Sequence, residues 1–278
     1  MDASTIGGVV REAVAQVAVR LRPDVLAALR EAAIRERSDR GREVLGQLIE
    51  NARIAEEDGV PLCQDTGTVW VWLELGADEC LAGDLQGEID LAVSQAYREA
   101  GLRMSVAGDA LLDRSNTGDN TPAFVDVTLR PGTGATVHVM LKGGGSDNSS
   151  AMRMLDPTDG PDGVRRFVIE TIEAKATGAC PPLVVGVGVG GTFDKVGVLA
   201  KRALLRPLTA PPQDTRLADL EAEMLAEINA LGIGPAGLGG DTTALAVHAI
   251  TAPCHIAALP VAVNMGCCAM RSVSVDVD

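Results

Sequence analysis

The stretch LVVGVGVGGTFDKVGVLAKRALL, residues 183–205, changes its local pattern halfway along. We predict an apolar strand over residues 183–187, ended by glycines 188, 190 and 191, and then a helix over residues 193–205. A strand that leads directly into a helix is the repeating unit of α/β proteins. The stretch therefore predicts an α/β fold class.

Glycines 186, 188 and 191 in this stretch also match the G-x-G-x-x-G pattern of dinucleotide-binding sites. Such a site needs an acidic residue at the end of a second strand, about 20 residues further on. The nearest candidate, Asp214, lies in the proline-rich loop 207–214 instead. The pattern supports a dinucleotide site only weakly, and it leaves open an anion or substrate at the helix N-terminus.

The rest of the chain predicts further helices and strands on both sides of this stretch. Apolar residues at helical spacing predict helices near residues 10–21, from Pro23, and over 38–55, 89–96, 163–175 and 217–231. Runs rich in β-branched residues predict strands over 69–73, 124–129, 135–141, 244–250 and 259–263. We therefore expect a single mixed α/β domain spanning residues 1–278, with an N-terminal helical region and β-sheets flanked by helices.

The composition excludes several classes of protein. A net charge of −14 argues against a nucleic-acid surface, which would need a basic stripe. We expect no signal peptide and no membrane span, and therefore a cytoplasmic protein. Six cysteines in such a chain favour metal-binding, catalytic or inert buried roles over a disulfide framework.

Two loops carry unusual groups of polar residues. The loop PLCQDTG, residues 61–67, presents a thiol, an amide, a carboxylate and a hydroxyl in succession before a predicted strand. A turn in which Asp65 bonds its own backbone is an equally good interpretation. In KGGGSDNSS, residues 142–150, three adjacent glycines let backbone N–H groups approach an anion, and Lys142 adds a positive charge. For a glycine triplet taken alone, a flexible loop is the commoner interpretation.

A third candidate site lies near the end of the chain. His255 is followed by the segment NMGCC, residues 264–268. A lone histidine is more often a core or surface residue than a ligand, and adjacent cysteines are often inert buried side chains. The segment is therefore a candidate site that its composition alone does not establish.

The spacing of the cysteines favours one kind of metal site over others. Cys63, Cys180 and Cys267 lie far apart, each beside a turn rich in glycine or proline, and the chain has no C-x-x-C pair. This spacing argues against a zinc ribbon and against electron-carrier ferredoxins, whose cysteines cluster. Three thiolates, if the fold brings them together from distant turns, can hold an iron–sulfur cluster with one iron open, as Lewis-acid catalysis requires.

Several long motifs occur in an order typical of one family. They are CQDTG (63–67), KGGGS (142–146), ACPP (179–182) with VGVGVGGTFDK (185–195), LGIGPAGLGG (231–240) and ALPVAVNMGC (258–267). Together they cover nearly the whole chain, which resembles the α subunit, or N-terminal catalytic domain, of class I fumarate hydratases. The related tartrate dehydratase α subunit usually varies the lysine before the triple glycine and the GGTFDK stretch, and this chain has the fumarase form of both.

The resemblance implies a cofactor, a partner and a set of site residues. It implies a 4Fe-4S cluster held by Cys63, Cys180 and Cys267. The family commonly has Trp or His after the last of these ligands, where this chain has Cys268. Cys80 and Cys254 match no ligand position. The resemblance implies that the catalytic residues are Asp65, Gln64 and His255, and that the substrate-binding residues are Arg103, Gly143, Gly144 and Gly145.

The resemblance also implies a reaction, the reversible hydration of fumarate to L-malate. A β subunit would complete the active site of a hetero-oligomer, and Asp65 would handle the proton of the attacking or departing water. The alternatives are an α subunit of L(+)-tartrate dehydratase or mesaconate hydratase. An alternative of another class is a nucleotide- or phosphate-binding module that uses the 186–191 glycine turn.

Overall fold

The computed structural model of the chain describes residues 1–277 and confirms the α/β fold class. Its helices are α1 Ala3–Val19, α2 Pro23–Arg35, α3 Asp39–Asp58, α4 Leu85–Glu99, α5 Gly144–Asn148, α6 Gly160–Lys175, α7 Phe193–Ala203 and α8 Ala218–Ala230. Its strands are β1 Thr68–Gly76, β2 Phe124–Arg130, β3 Ala135–Lys142, β4 Ala151–Leu155, β5 Leu183–Gly191, β6 Ala244–Cys254, β7 Leu259–Gly266 and β8 Ser272–Val277. Within residues 1–277, none of the helices combines the length and the apolar character that crossing a bilayer requires.

The chain forms two compact units, each with its own sheet and core. Among the described residues, unit 1 comprises 1–22, 52–144 and 271–277, and unit 2 comprises 23–51 and 145–270. The sheet of unit 1 has the strand order β2-β1-β3-β8, and that of unit 2 has the order β4-β7-β5-β6. The predicted single-domain organisation stays a prediction.

The core of unit 1 lies on one face of its sheet. Val69, Val71 and Leu73 alternate along β1 with residues of the opposite face, and all three are fully buried. They pack with buried residues of α1 and α4, such as Val10 and Ile89. The alternation of a strand places every second side chain on the same face, so this pattern gives the two helices one apolar surface to cover.

The strand order in the sheet of unit 1 differs from the order of the strands along the chain. β2 and β3 are joined by the turn over residues 130–134, yet β1 lies between them, parallel to β2 and antiparallel to β3. The ring N–H of Trp70 donates to Asp126 Oδ2, and that of Trp72 to Thr128 Oγ1, both at 2.8 Å. These side-chain bonds between β1 and β2 stabilise a pairing that adjacency along the chain does not indicate.

The glycine-rich strand β5 of unit 2 is longer than predicted. It continues through glycines 188, 190 and 191 instead of ending near Val187. A Cβ at Gly186 would lie 2.1 Å from the carbonyl oxygen of Ala200, and one at Gly188 would lie 2.4 Å from that of Val196. Both carbonyls belong to α7, so the glycines let this helix pack close against the strand and do not terminate it.

Glu36 ties together two distant segments of unit 2. Its carboxylate accepts hydrogen bonds from the N–H groups of Ser38, Asp241 and Thr242, at 2.9–3.0 Å. The residue is 2% exposed. Burial raises the pKa of Glu36, but the three N–H donors and the Thr242 hydroxyl together outweigh it and hold the pKa below its ordinary value. Glu36 is therefore a buried carboxylate that stabilises the turn before β6.

We expect Glu36→Gln to lower the free energy of unfolding at pH 7 by about 2 kcal/mol, because charge-assisted hydrogen bonds are lost in a buried place. A lowered pKa in the folded state gives stability that is present above the ordinary glutamate pKa, about 4.3, and is lost as pH falls through the lowered value. Urea titrations from pH 7 downward should therefore show the difference between the two proteins shrinking below about pH 4.

Glu31→Gln is the matched control for this prediction. Glu31 is 70% exposed and pairs with Arg35 on the same helix, so we expect a change under about 0.5 kcal/mol. Equal effects of the two substitutions would contradict the role assigned to Glu36.

Candidate active site

Asp65 connects its own loop to Gly144, near the start of the second predicted loop, within unit 1. Its Oδ1 accepts a hydrogen bond from the Gly67 N–H at 3.0 Å, which is the turn predicted for this loop. Its Oδ2 accepts a second bond from the Gly144 N–H at 2.8 Å. An anion thus does approach the glycine triplet, and it is a carboxylate of the chain itself. The N–H of Gly144 is already used for this bond.

The neighbours of Asp65 in the same loop differ in exposure. Cys63 is half-buried and its Sγ lies 3.4 Å from Gln64 Oε1, while the Gln64 side chain is exposed. The Thr66 hydroxyl donates to the carbonyl oxygen of Arg103, whose side chain is exposed. Unit 1 therefore brings Cys63, Gln64, Asp65 and the backbone of Arg103 together, and their roles at a substrate stay predictions.

Close contacts account for the glycine triplet. Within unit 1, a Cβ at Gly143 would lie 3.2 Å from Asp65 Oδ2. Within unit 2, a Cβ at Gly145 would lie 2.9 Å from the carbonyl oxygen of Gly178. Lys142 ends β3 and is 4% exposed, so its side chain is buried. The predicted flexible loop is instead a close-packed turn that leads into α5.

Sequence reasoning missed three buried polar residues that contact the Asp65 loop in unit 1: Tyr97, Asn120 and Arg271. Asn120 follows the turn-forming residues Gly118-Asp119 and has a left-handed backbone with φ of 61°. That run of turn formers was a signal of special backbone geometry. Tyr97 and Arg271 had no such signal, because only the folded chain places them beside the loop.

Unit 2 brings two of the three predicted cluster ligands together. Cys180 follows a short 3-10 turn with a left-handed φ of 56°, and its carbonyl oxygen accepts a hydrogen bond from the Cys268 N–H at 3.1 Å. Cys180 is exposed, and Cys267 is half-buried directly after β7. The bond holds the segment of Cys267 and Cys268 alongside Cys180. Cys63 belongs to unit 1.

The cysteine thiols fit the chemistry of an iron–sulfur cluster. None of the cysteines in residues 1–277 is in a disulfide bond, and thiolates are the ligands that such clusters use. Within the same residues, no three His, Cys, Asp or Glu side chains are grouped so as to hold a single metal ion. A cluster carries sulfide ions between its irons, so its ligands stand wider apart than those of one ion.

His255 lies in the connection between β6 and β7 of unit 2. Its Nδ1 accepts a hydrogen bond from the Ala257 N–H at 3.1 Å, so the neutral ring carries its proton on Nε2. The ring is exposed, and it borders a mostly apolar cavity of about 390 Å³ that Met224 and Leu259 also line. His255 can therefore offer an Nε2–H to a ligand.

The start of α7 does not favour the dinucleotide interpretation. Gly186 and Gly188 are required for the packing of α7 on β5. At the N-terminus of α7, the Thr192 hydroxyl donates to Asp194 Oδ1 at 2.6 Å, and this bond is the main cause that lowers the pKa of Asp194. The helix N-terminus thus already carries a carboxylate of its own.

Comparisons with known proteins agree on one family. Residues 8–276 match the profile of the family described as Fumarate hydratase (Fumerase). The chain is 42% identical over 272 residues to "Putative L(+)-tartrate dehydratase subunit alpha" of Methanocaldococcus jannaschii, which covers 96% of this chain and 95% of that protein. It is also 34% identical over 261 residues to "L(+)-tartrate dehydratase subunit alpha" of Escherichia coli K12. That alignment covers 92% of this chain and 86% of the other protein.

Proposed function

Because the chain belongs to the fumarate hydratase (Fumerase) family, we propose that it is the α subunit of an enzyme that reversibly hydrates fumarate to L-malate. The chain is a hydro-lyase, as its family and its named relatives agree. Two motifs support fumarate as the substrate: Lys142 before the triple glycine, and GGTFDK at residues 190–195. Both have the form that the resemblance described under the sequence analysis implies for fumarate hydratases.

L(+)-tartrate is the second candidate substrate. The most similar relatives reported above carry the name of tartrate dehydratase α subunits. Tartrate and malate are both four-carbon 2-hydroxy dicarboxylates, so the same arrangement of cations and N–H donors would suit either one. Mesaconate hydration belongs to the same reaction class.

We propose that both units together form one catalytic domain over residues 1–278, with Cys63, Cys180 and Cys267 as ligands of a 4Fe-4S cluster. When bound, such a cluster would supply a Lewis-acidic iron that polarises the hydroxyl group of the substrate. The bond between Cys268 N–H and the Cys180 carbonyl supports Cys267 and Cys180 as a pair. We place the protein in the cytoplasm, where ligand thiols stay reduced.

Asp65 is proposed to handle the proton of the attacking or departing water. Oδ1 and Oδ2 each accept one backbone N–H, which holds the carboxylate in one orientation. A carboxylate oxygen has two lone pairs, so each oxygen keeps one for a proton. The exposed amide of Gln64, next in the chain, would orient the substrate at the same place.

Two further side chains are proposed to bind the substrate. The exposed guanidinium of Arg103 would pair with a substrate carboxylate through two parallel hydrogen bonds. This pairing would stabilise the negative charge that develops beside that carboxylate in the transition state. His255 would donate its Nε2–H to a substrate oxygen, because its Nδ1 is occupied by Ala257. A β subunit, implied by the α-subunit names of the relatives, would supply the remaining contacts.

The test is anaerobic co-expression of the chain with its β subunit, followed by assays on L-malate, fumarate, L(+)-tartrate and mesaconate. We expect kcat/KM for malate and fumarate to exceed that for tartrate at least about tenfold, a difference of 1.4 kcal/mol in transition-state stabilisation. A preference for tartrate would replace fumarate by the second candidate. Lack of dehydratase activity on all four compounds by an iron-loaded complex would overturn the proposed function.

A further inference from the structure

Three consecutive carbonyl oxygens of the Asp65 loop accept hydrogen bonds from buried side chains of unit 1. Arg271 Nη1 donates to the Asp65 carbonyl at 2.7 Å. The Tyr97 hydroxyl lies 3.0 Å from the Thr66 carbonyl and 2.9 Å from that of Gly67. Asn120 Nδ2 donates to the same Gly67 carbonyl at 3.2 Å. We call Arg271, Tyr97 and Asn120 the carbonyl cradle.

The members of the carbonyl cradle are buried as deeply as core residues. Tyr97 and Asn120 are 0% exposed and Arg271 is 2% exposed. Asn120 is itself held, because its Oδ1 accepts from the Ser105 N–H at 2.7 Å. Burial raises the pKa of Tyr97, and the nearby Arg271 charge only partly opposes the rise, so the phenol remains a hydrogen-bond donor at neutral pH. The carbonyl cradle therefore consists of buried side chains that keep their hydrogen-bond donors.

Arg271 is the unusual member, because a buried guanidinium is costly to desolvate. The partner that it meets here is a neutral carbonyl, and its Nε has no hydrogen-bond partner within residues 1–277. A Cβ at Gly143 would lie 3.5 Å from Arg271 Nη2 and 3.2 Å from Asp65 Oδ2. The positive charge of Arg271 therefore lies close both to the Asp65 loop and to Gly143 at the start of the glycine loop.

The carbonyl cradle and the Asp65 carboxylate hold residues 65–67 of the loop, so the side chains of Cys63 and Gln64 at its start are the ones left to bind ligands. Peptide carbonyls 65, 66 and 67 face the cradle, and the Asp65 carboxylate spans to Gly67 and Gly144. Cys63 and Gln64 precede this held segment, half-buried and exposed respectively. Groups that bind and orient a substrate are most effective when the backbone that carries them cannot shift.

We propose that Arg271 is a positioning residue, which acts directly on the Asp65 carbonyl, beside Tyr97 and Asn120, to keep the Cys63–Gly67 loop in its catalytic conformation. This proposal rests on the proposed function for its kinetic consequence. Its structural consequence, a loop held by the cradle, stands in the isolated chain without cofactor or substrate.

The experiment compares Arg271→Gln, Arg271→Lys and Tyr97→Phe with the control Thr171→Val. The Thr171 hydroxyl is buried in unit 2 and donates to the Phe167 carbonyl at 2.7 Å, so the control also removes one buried bond to a carbonyl. Hydrogen–deuterium exchange of the metal-free chain measures the peptide that covers residues 62–68. We expect Arg271→Gln to speed exchange there about tenfold or more, as local opening predicts, and Thr171→Val to leave it unchanged.

The kinetic arm uses each variant in the complex with the β subunit, with rates expressed per mole of bound cluster. We expect Arg271→Gln to lower kcat about 100-fold, the size of effect known for a small misplacement of reacting groups. Arg271→Lys should recover part of the loss, because an ammonium can still donate to the Asp65 carbonyl, and Tyr97→Phe should lose about tenfold.

The exchange rates and the kcat values of the variants test separate parts of the proposal. Unchanged exchange in residues 62–68 of Arg271→Gln would overturn the proposal whatever the activity of the wild type. Faster exchange with an unchanged kcat per cluster would overturn the positioning role and leave a structural brace. If Arg271→Gln does not fold, the same readings are taken on Arg271→Lys and Tyr97→Phe. A wild-type complex without dehydratase activity would contradict the proposed function, while the exchange result would still test the cradle.

Discussion

Replacing Cys267 with serine is expected to remove the hydratase activity of the complex with the β subunit and to lower its bound iron. A serine hydroxyl stays protonated near neutral pH, so it does not replace a thiolate as an iron ligand. The proposed ligands come from distant turns, and the loss of one ligand leaves two. The measurements are iron and acid-labile sulfide per chain after anaerobic reconstitution, and malate turnover. Cys63→Ser and Cys180→Ser are expected to give the same result.

Three other cysteines provide matched controls for this prediction. Cys80→Ser and Cys254→Ser change exposed residues that match no ligand position, and we expect both variants to keep their iron and their activity. Cys268→Ser decides between the adjacent cysteines, because the bond that Cys268 makes to Cys180 uses its backbone N–H and survives the substitution. Full activity of Cys267→Ser, together with loss of iron in Cys268→Ser, would move the ligand by one residue.

Gly186→Ala is expected to give the largest loss of stability, about 3 kcal/mol in the free energy of unfolding, at the upper end for overpacking. The new Cβ would lie 2.1 Å from the carbonyl oxygen of Ala200, so β5 and α7 must move apart. Gly188→Ala should behave alike, since its Cβ would lie 2.4 Å from the carbonyl of Val196. Urea denaturation followed by circular dichroism measures both effects.

Gly197→Ala is the control for the glycine variants. This glycine lies in α7 itself, on its exposed side, and a Cβ there would meet nothing within 4 Å. We expect a gain of about 1 kcal/mol, the difference in helix propensity between the two residues. If Gly186→Ala unfolded at the same urea concentration as the wild type, β5 and α7 would not pack as the structure describes.

Local signals along the chain were sufficient for most of the elements. The predicted helix that begins at Pro23, the strand near Val69 and the strand from Ala135 all form close to the expected residues. Each of these segments carries a pattern that indicates one kind of element, such as proline at a helix start or alternating apolar residues in a strand. β8 and the short strand β4 were not predicted. β4, AMRML, carries no alternating pattern, whereas SVSVDV in β8 alternates valine with polar residues, a strand signal that the sequence analysis overlooked.

The pairing of strands could not be derived in the same way. The turn at residues 130–134 indicates that β2 and β3 are neighbours, but β1 lies between them. Which strands pair depends on side chains that meet only after folding, such as Trp70 with Asp126. The glycines of β5 are similar: their spacing matches a nucleotide motif, and the packing of α7 explains it.

The amino-acid sequence by itself determined the fold class, the family and the positions of the candidate loops, because periodicity and long motifs are properties of the chain alone. Only the tertiary structure decided what surrounds those loops. It turned the Asp65 carboxylate onto Gly144, set Cys268 beside Cys180, and buried Arg271 behind the loop of Cys63. These hydrogen bonds join residues 79 to 206 positions apart, so they leave no local pattern in the sequence.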